Sequence, residues 1–145
     1  MVGWKFLRRV GTTPVIEQSV SFSATPKTLY EFFMDSAKHS AATGMPAKVS
    51  PKAGGKWSAF GGMICGKNLV LIPNRMIVQA WRSAEWKKAD PDSILIVSFE
   101  KAAGGDTTVH LVHVGVPSHD HQGVTQGWVK YYWEPWKAYL ASHKR

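Results

Sequence analysis

The stretch QGWVKYYWEPWKAYL, Gln126–Leu140, constrains this chain more than any other. It reads as part of a helix from about Val124 to Ser142. At about 100° per residue, Trp128, Val129, Tyr132, Trp133, Trp136, Tyr139 and Leu140 fall within one arc of roughly 140°. Lys130, Glu134 and Lys137 lie opposite. So bulky an apolar face needs a broad partner to cover it. Pro135 cannot donate to the Tyr131 carbonyl and its ring clashes there, so a bend is expected. A bent helix can follow a curved sheet.

The rest of the chain supplies such a sheet. Residues 15–22 alternate, with Ile16, Val20 and Phe22 on one side and Glu17, Ser19 and Ser21 on the other, the pattern of a half-buried strand. Thr25 is a natural N-cap and Pro26 suits the first helical position. Leu29, Phe32 and Phe33 give that helix an apolar face. Ser36 is read as the cap of a second short helix, which Gly44 ends. Six strand signals follow: AKVSP, KWSAF, NLVLI, RMIVQAWR, SILIVSFE and TTVHLVHVGV. Glycine pairs or prolines punctuate them, as tight turns require. The order β-α-α-(β×6)-α implies an α+β fold. A curved antiparallel sheet carries two short helices, and a long C-terminal helix lies across one face. Residues 1–13 read as an N-terminal arm and residues 14–145 as a single domain.

A length of 145 residues fits one domain with a real core, and 44% hydrophobic content excludes a disordered chain. No window is apolar enough to insert in a membrane. Lys5, Arg8 and Arg9 have no apolar run behind them, so no signal peptide is read and a cytoplasmic location is expected. The single Cys65 agrees with a reducing compartment. Net charge is +8 and pI about 9.8, which suits nucleic acid, a membrane surface or an acidic protein. The bases are scattered, however. The densest groups are Arg8-Arg9, Lys87-Lys88 and Lys144-Arg145, and none forms a nucleic-acid motif, so no nucleic-acid partner is expected.

The aromatic stripe has two readings. It is solid core, or part of it walls a ligand cavity, since large flat rings are hard to pack without gaps. The cavity candidates are Trp128, Tyr132 and Trp136 on the helix, with Trp57, Trp81 and Phe99 from the sheet. Trp86-Lys87-Lys88 sits in the longest loop between strands. Trp86 is either an exposed anchor for an acidic partner, with Lys87 and Lys88 beside it, or it folds back over the cavity mouth. His110 and His113 point to opposite faces of a strand and cannot share a metal. His119 and His121 flank Asp120 in a loop with no further ligand evident, so no metal site is expected. The ten carboxylates fall mostly in turns or on polar faces, and Cys65 has no activating environment beyond Lys67. No catalytic residue and no cofactor are assigned. The glycine pairs are turns, not phosphate loops.

Several stretches together resemble a known family. They are GGMICGKNLVLIPNRMIVQAWRSAEW and, after a further strand, VPSHDHQGVTQGWVKYYWEPWKAYL. The most specific pieces are Gly66, Pro73 with Ile77-Val78, Trp81-Arg82 with Trp86, Gly115-Val116-Pro117, Gly127-Trp128 and Tyr131-Tyr132. In this order they resemble the C-terminal domain of the activators of the 90-kDa heat-shock chaperone (Hsp90) ATPase, within the START-like (SRPBCC), helix-grip superfamily. The resemblance covers nearly the whole chain. It implies a helix-grip fold with a cavity between long helix and sheet, often holding an apolar ligand. The expected function is then a non-enzymatic domain that binds a small hydrophobic ligand in that cavity. The alternative is a co-chaperone that binds an Hsp90-like chaperone, or another acidic protein, and stimulates the chaperone's ATPase.

Overall fold

The structure, a computed structural model, describes residues 13–143. The reading of residues 1–13 as an arm therefore lies, Thr13 apart, outside the described residues. The element order is the expected one. Strand β1 (Ile16–Phe22) is followed by helices α1 (Pro26–Met34) and α2 (Ser36–Thr43). Strands β2 (Ala47–Val49), β3 (Lys56–Ala59), β4 (Ile64–Ile72), β5 (Met76–Ser83), β6 (Ser93–Lys101) and β7 (Thr107–Val114) come next. The C-terminal helix α3 has three segments: α-helical His121–Trp128, a π-helical turn Val129–Trp133, and α-helical Glu134–Ser142. The seven strands form one antiparallel sheet in the order β1-β7-β6-β5-β4-β3-β2.

Local chemistry sets the helix ends. Thr25 Oγ1 accepts from Thr28 N–H, and Pro26 opens α1 where its missing N–H costs nothing. The cap of α2 is Asp35, not Ser36: its carboxylate accepts from Lys38 N–H. Ser36 instead turns its hydroxyl toward β2, where it accepts from Val49 N–H. Gly44 ends α2 in the left-handed conformation, φ 79°. Helix α3 begins three residues ahead of the expected Val124. Pro135 is accommodated by the π-turn just before it, in which Glu134 N–H bonds Val129 O.

One sheet face carries the core. Ile77, Leu95, Val97, Val109 and Leu111 are fully buried there. Helices α1 and α3 cover them with Leu29, Phe32, Phe33, Trp133 and Trp136. Gly66 on β4 is required: a Cβ at that position would lie 1.8 Å from Ala80 O and 3.0 Å from Trp57 Nε1. The outer face is half-exposed and less polar than alternation implies, with Val70, Val78, Ile96 and Val112 in one cross-strand row. Toward its β2 edge that face turns basic. Lys56 stands directly opposite Lys67 across β3–β4, with Lys48 on β2 and Lys52 in the adjoining loop. All four are exposed, and none joins an ion pair among the described residues.

Candidate functional site

Three polar ties hold α3 in place, two to the sheet and one to α2, each involving an aromatic of the stripe. Trp133 Nε1 donates to Gln18 Oε1 at 2.7 Å, and Gln18 Nε2 donates to Thr125 O at 2.9 Å. Trp128 Nε1 donates to His113 Nδ1 at 3.1 Å. Tyr132 Oη lies 2.9 Å from His39 Nε2, while His39 Nδ1 is 3.0 Å from Phe33 O. A carbonyl only accepts, so the neutral ring carries its proton on Nδ1 and the phenol donates to Nε2. Burial lowers the His39 pKa, against the opposing pull of the Phe33 carbonyl. Burial also raises the Tyr132 hydroxyl above its ordinary value. Both groups are held neutral. His39 and Gln18 escaped the sequence reading, and His113 was judged only for metal binding. The inward position of His113 in an alternating strand was the one available signal.

Beside these ties a pocket of about 560 Å³ opens between α3, the turn after β3 and the β5–β6 loop. Of the six residues proposed from sequence as cavity walls, Trp81, Trp128 and Tyr132 line it. Trp57, Phe99 and Trp136 do not. Trp136 is fully buried among Phe22, Phe32 and Phe33. Phe99 packs edge-on against Tyr30, and Trp57 lies over Gly66. The remaining walls include Phe60, Met45, Met63 and Tyr131, and the last three are about half exposed. Gly123 and Gly127 supply bare helix surface.

Two irregularities of the backbone meet at this pocket. Phe60 has φ 54°, a left-handed conformation that is costly for a bulky side chain. Its ring packs edge-on against Tyr131 and Tyr132, which keeps it there. The π-turn Val129–Trp133 carries both of those tyrosines. Such departures cluster at working sites.

Trp86 is not presented to solvent as an anchor. It is 6% exposed, its ring centroid lies 5.6 Å from that of Trp81, and its Nε1 donates to Asp120 Oδ2 at 2.7 Å. A bulky apolar ring gains more by packing on Trp81 than by facing water. Lys87 and Lys88 beside it are exposed. His110 and His113 do point to opposite faces, the first partly exposed and the second buried. His119 Nε2 contacts Asp90 Oδ2 and His121 Nε2 donates to Pro14 O, so the two rings are engaged separately.

A family model, activator of Hsp90 ATPase homolog 1-like protein, matches residues 23–141. The chain belongs to this family. It is 31% identical over 117 residues to an activator of 90 kDa heat shock protein ATPase homolog from Dictyostelium discoideum, covering 81% of this chain and 30% of that protein. It is 29% identical over 114 residues to the human activator of 90 kDa heat shock protein ATPase homolog 1, covering 79% of this chain and 33% of that protein. The chain thus spans about a third of the length of these curated relatives. A solved structure of an HSP90 activator from Plasmodium falciparum superposes with a TM-score of 0.81 at 23% identity, covering 89% of this chain and 97% of that one. At that identity the likeness shows the fold alone, which is the helix-grip arrangement expected from sequence. No helix among the described residues is long and apolar enough to cross a membrane.

Proposed function

We propose that this domain binds an Hsp90-like chaperone and stimulates its ATPase. Membership of the activator family across residues 23–141 carries the reading. The basic edge of the outer sheet face supports it. Two lysines directly opposite each other in a sheet destabilise it, so Lys56 and Lys67 cost the fold something that an acidic partner would return. Lys87 and Lys88, exposed in the β5–β6 loop, are a second basic pair. The test is the steady-state ATPase rate of a purified Hsp90-like chaperone titrated with the purified chain. Stimulation that saturates supports the reading. An unchanged rate, with no complex by analytical ultracentrifugation at low salt, would sink it.

A second reading rests on the pocket. A half-open site of about 560 Å³, walled by aromatics and methionines, has the size and lining of a small-molecule site. In it the domain holds a small apolar ligand. Native mass spectrometry of the purified chain tests this, with solvent extraction of anything bound. A stoichiometric apolar adduct supports the reading, and an apo mass that persists after exposure to an apolar ligand panel counts against it.

A further inference from the structure

We propose that the pocket takes an apolar molecule bearing a protonated amine, with the amine at Glu85 and Asp120. The inference rests on the second reading above, that the pocket is a ligand site. The chain has 18 Lys and Arg against 10 Asp and Glu, yet the charged residues lining the pocket are two acids and no base. Both stand at the end near the start of α3. Glu85 lies in the β5–β6 loop, and Asp120 is the residue just before the helix.

The Asp120 carboxylate is held in place. Its Oδ2 accepts from Trp86 Nε1. Its Oδ1 lies against Gly123, where any Cβ would come within 2.7 Å of it. Glycine at 123 therefore leaves that oxygen room beside the pocket. Neither Asp120 Oδ1 nor the Glu85 carboxylate has a hydrogen-bond partner among the described residues. The other end of the pocket is aromatic, with Phe60, Tyr131 and Tyr132. Lys130 Nζ lies 5.4 Å from the Tyr131 ring centroid and is not among the residues lining the pocket. From Gly123 to Tyr131 the helix advances about 12 Å, room for a medium-length alkyl chain.

The pairing follows from desolvation. A neutral apolar ligand would cover two carboxylates and give them nothing in return. An anionic one would add repulsion. A protonated amine offers three donors to the same oxygens while its chain meets the rings.

The experiment compares decylamine, decanol and decanoate by intrinsic Trp fluorescence and calorimetry at neutral pH. Trp81 and Trp128 line the pocket and report occupancy. The expected result is a Kd for the amine at least about tenfold below that of either congener. Glu85→Gln with Asp120→Asn should erase that preference and leave decanol binding in place. Glu85→Gln alone, at an exposed position, serves if the double variant melts early. Gly127→Leu should abolish binding of all three. A Cβ at 127 meets only ordinary contacts, the nearest at 3.6 Å, so the longer side chain fills the pocket without straining the helix. Equal affinities for amine and alcohol, or a preference that survives the carboxylate variants, overturns the amine assignment and leaves the pocket reading standing. No binding by any of the three, or binding indifferent to Gly127→Leu, overturns both.

Discussion

Trp128 Nε1 donates to His113 Nδ1 across 3.1 Å, and this bond between helix and sheet fixes which nitrogen of the histidine carries the proton. With Nδ1 accepting, the neutral ring holds its hydrogen on Nε2 and donates it to Ser93 Oγ at 2.8 Å. Ser93 Oγ passes its own hydrogen to Trp81 O at 2.7 Å. All four residues are buried, and the side-chain polar atoms of Trp128, His113 and Ser93 are all used, whereas Trp81 Nε1 has no partner among the described residues. The relay ties α3, β7, β6 and β5 together beside two walls of the pocket.

Trp128→Phe keeps most of the ring volume and removes the donor. It is expected to cost about 1–3 kcal/mol, the penalty for a buried acceptor left alone. Trp128→Ala adds a cavity and is expected to cost about 3–5 kcal/mol. Urea unfolding of the two variants measures both. A phenylalanine variant as stable as the parent would show that the bond contributes nothing.

Acid should unfold this protein through its histidines. Burial, helped by the charge of His121, takes the His113 pKa down from 6.5 to about 3. The unfolded chain takes up a proton near pH 6.5 that the folded site refuses. Stability is therefore full above that pH and is lost as pH falls toward about 3. The expected slope is about 1.4 kcal/mol per pH unit from this residue. His39, also lowered by burial, adds in the same direction. Urea midpoints between about pH 7 and 5 should show the slope, and His113→Gln should make it shallower. Parallel curves for parent and variant would rule the residue out.

Gly66→Ala is expected to destabilise by about 3 kcal/mol, the upper end for overpacking, since the new Cβ meets the Ala80 carbonyl at 1.8 Å. Backbone has to move on β4 or β5 for the methyl to fit. Thermal melting checks this. An unchanged midpoint would mean the sheet yields there at no cost.

Lys67→Glu should act in opposite directions on fold and partner. It replaces a like-charge pair with an opposite one and is expected to stabilise by about 0.2–1 kcal/mol. The same change should weaken binding to an acidic chaperone surface and flatten its salt dependence. Lys87→Glu with Lys88→Glu, at exposed positions that do not line the pocket, should leave uptake of an uncharged apolar ligand intact. If either set of reversals leaves chaperone binding and its salt slope untouched, that part of the basic surface is not the contact.

The order of elements, the sheet and the long helix were legible in the chain because each rests on local rules. Alternation marked the strands, Thr25, Pro26 and Gly44 marked helix ends, and the stripe from Trp128 to Leu140 demanded a sheet to lie on. Small errors arose where two neighbouring residues could do one job, as at Asp35 and Ser36. The site was only partly legible. Helical periodicity puts Trp128, Tyr132 and Trp136 on one face, but it cannot say which of them meets solid core. That depends on Phe22, Phe32 and Phe33 closing around Trp136 from distant parts of the chain. Likewise Trp86 looked equally fit to face solvent or to fold inward. The choice was made by Asp120, 34 residues away, offering a carboxylate oxygen to its indole. Sequence alone set the architecture because secondary structure and amphipathic faces are properties of short segments. Only tertiary structure decided the pocket and its polar partners, because both are made of contacts between segments far apart in the chain.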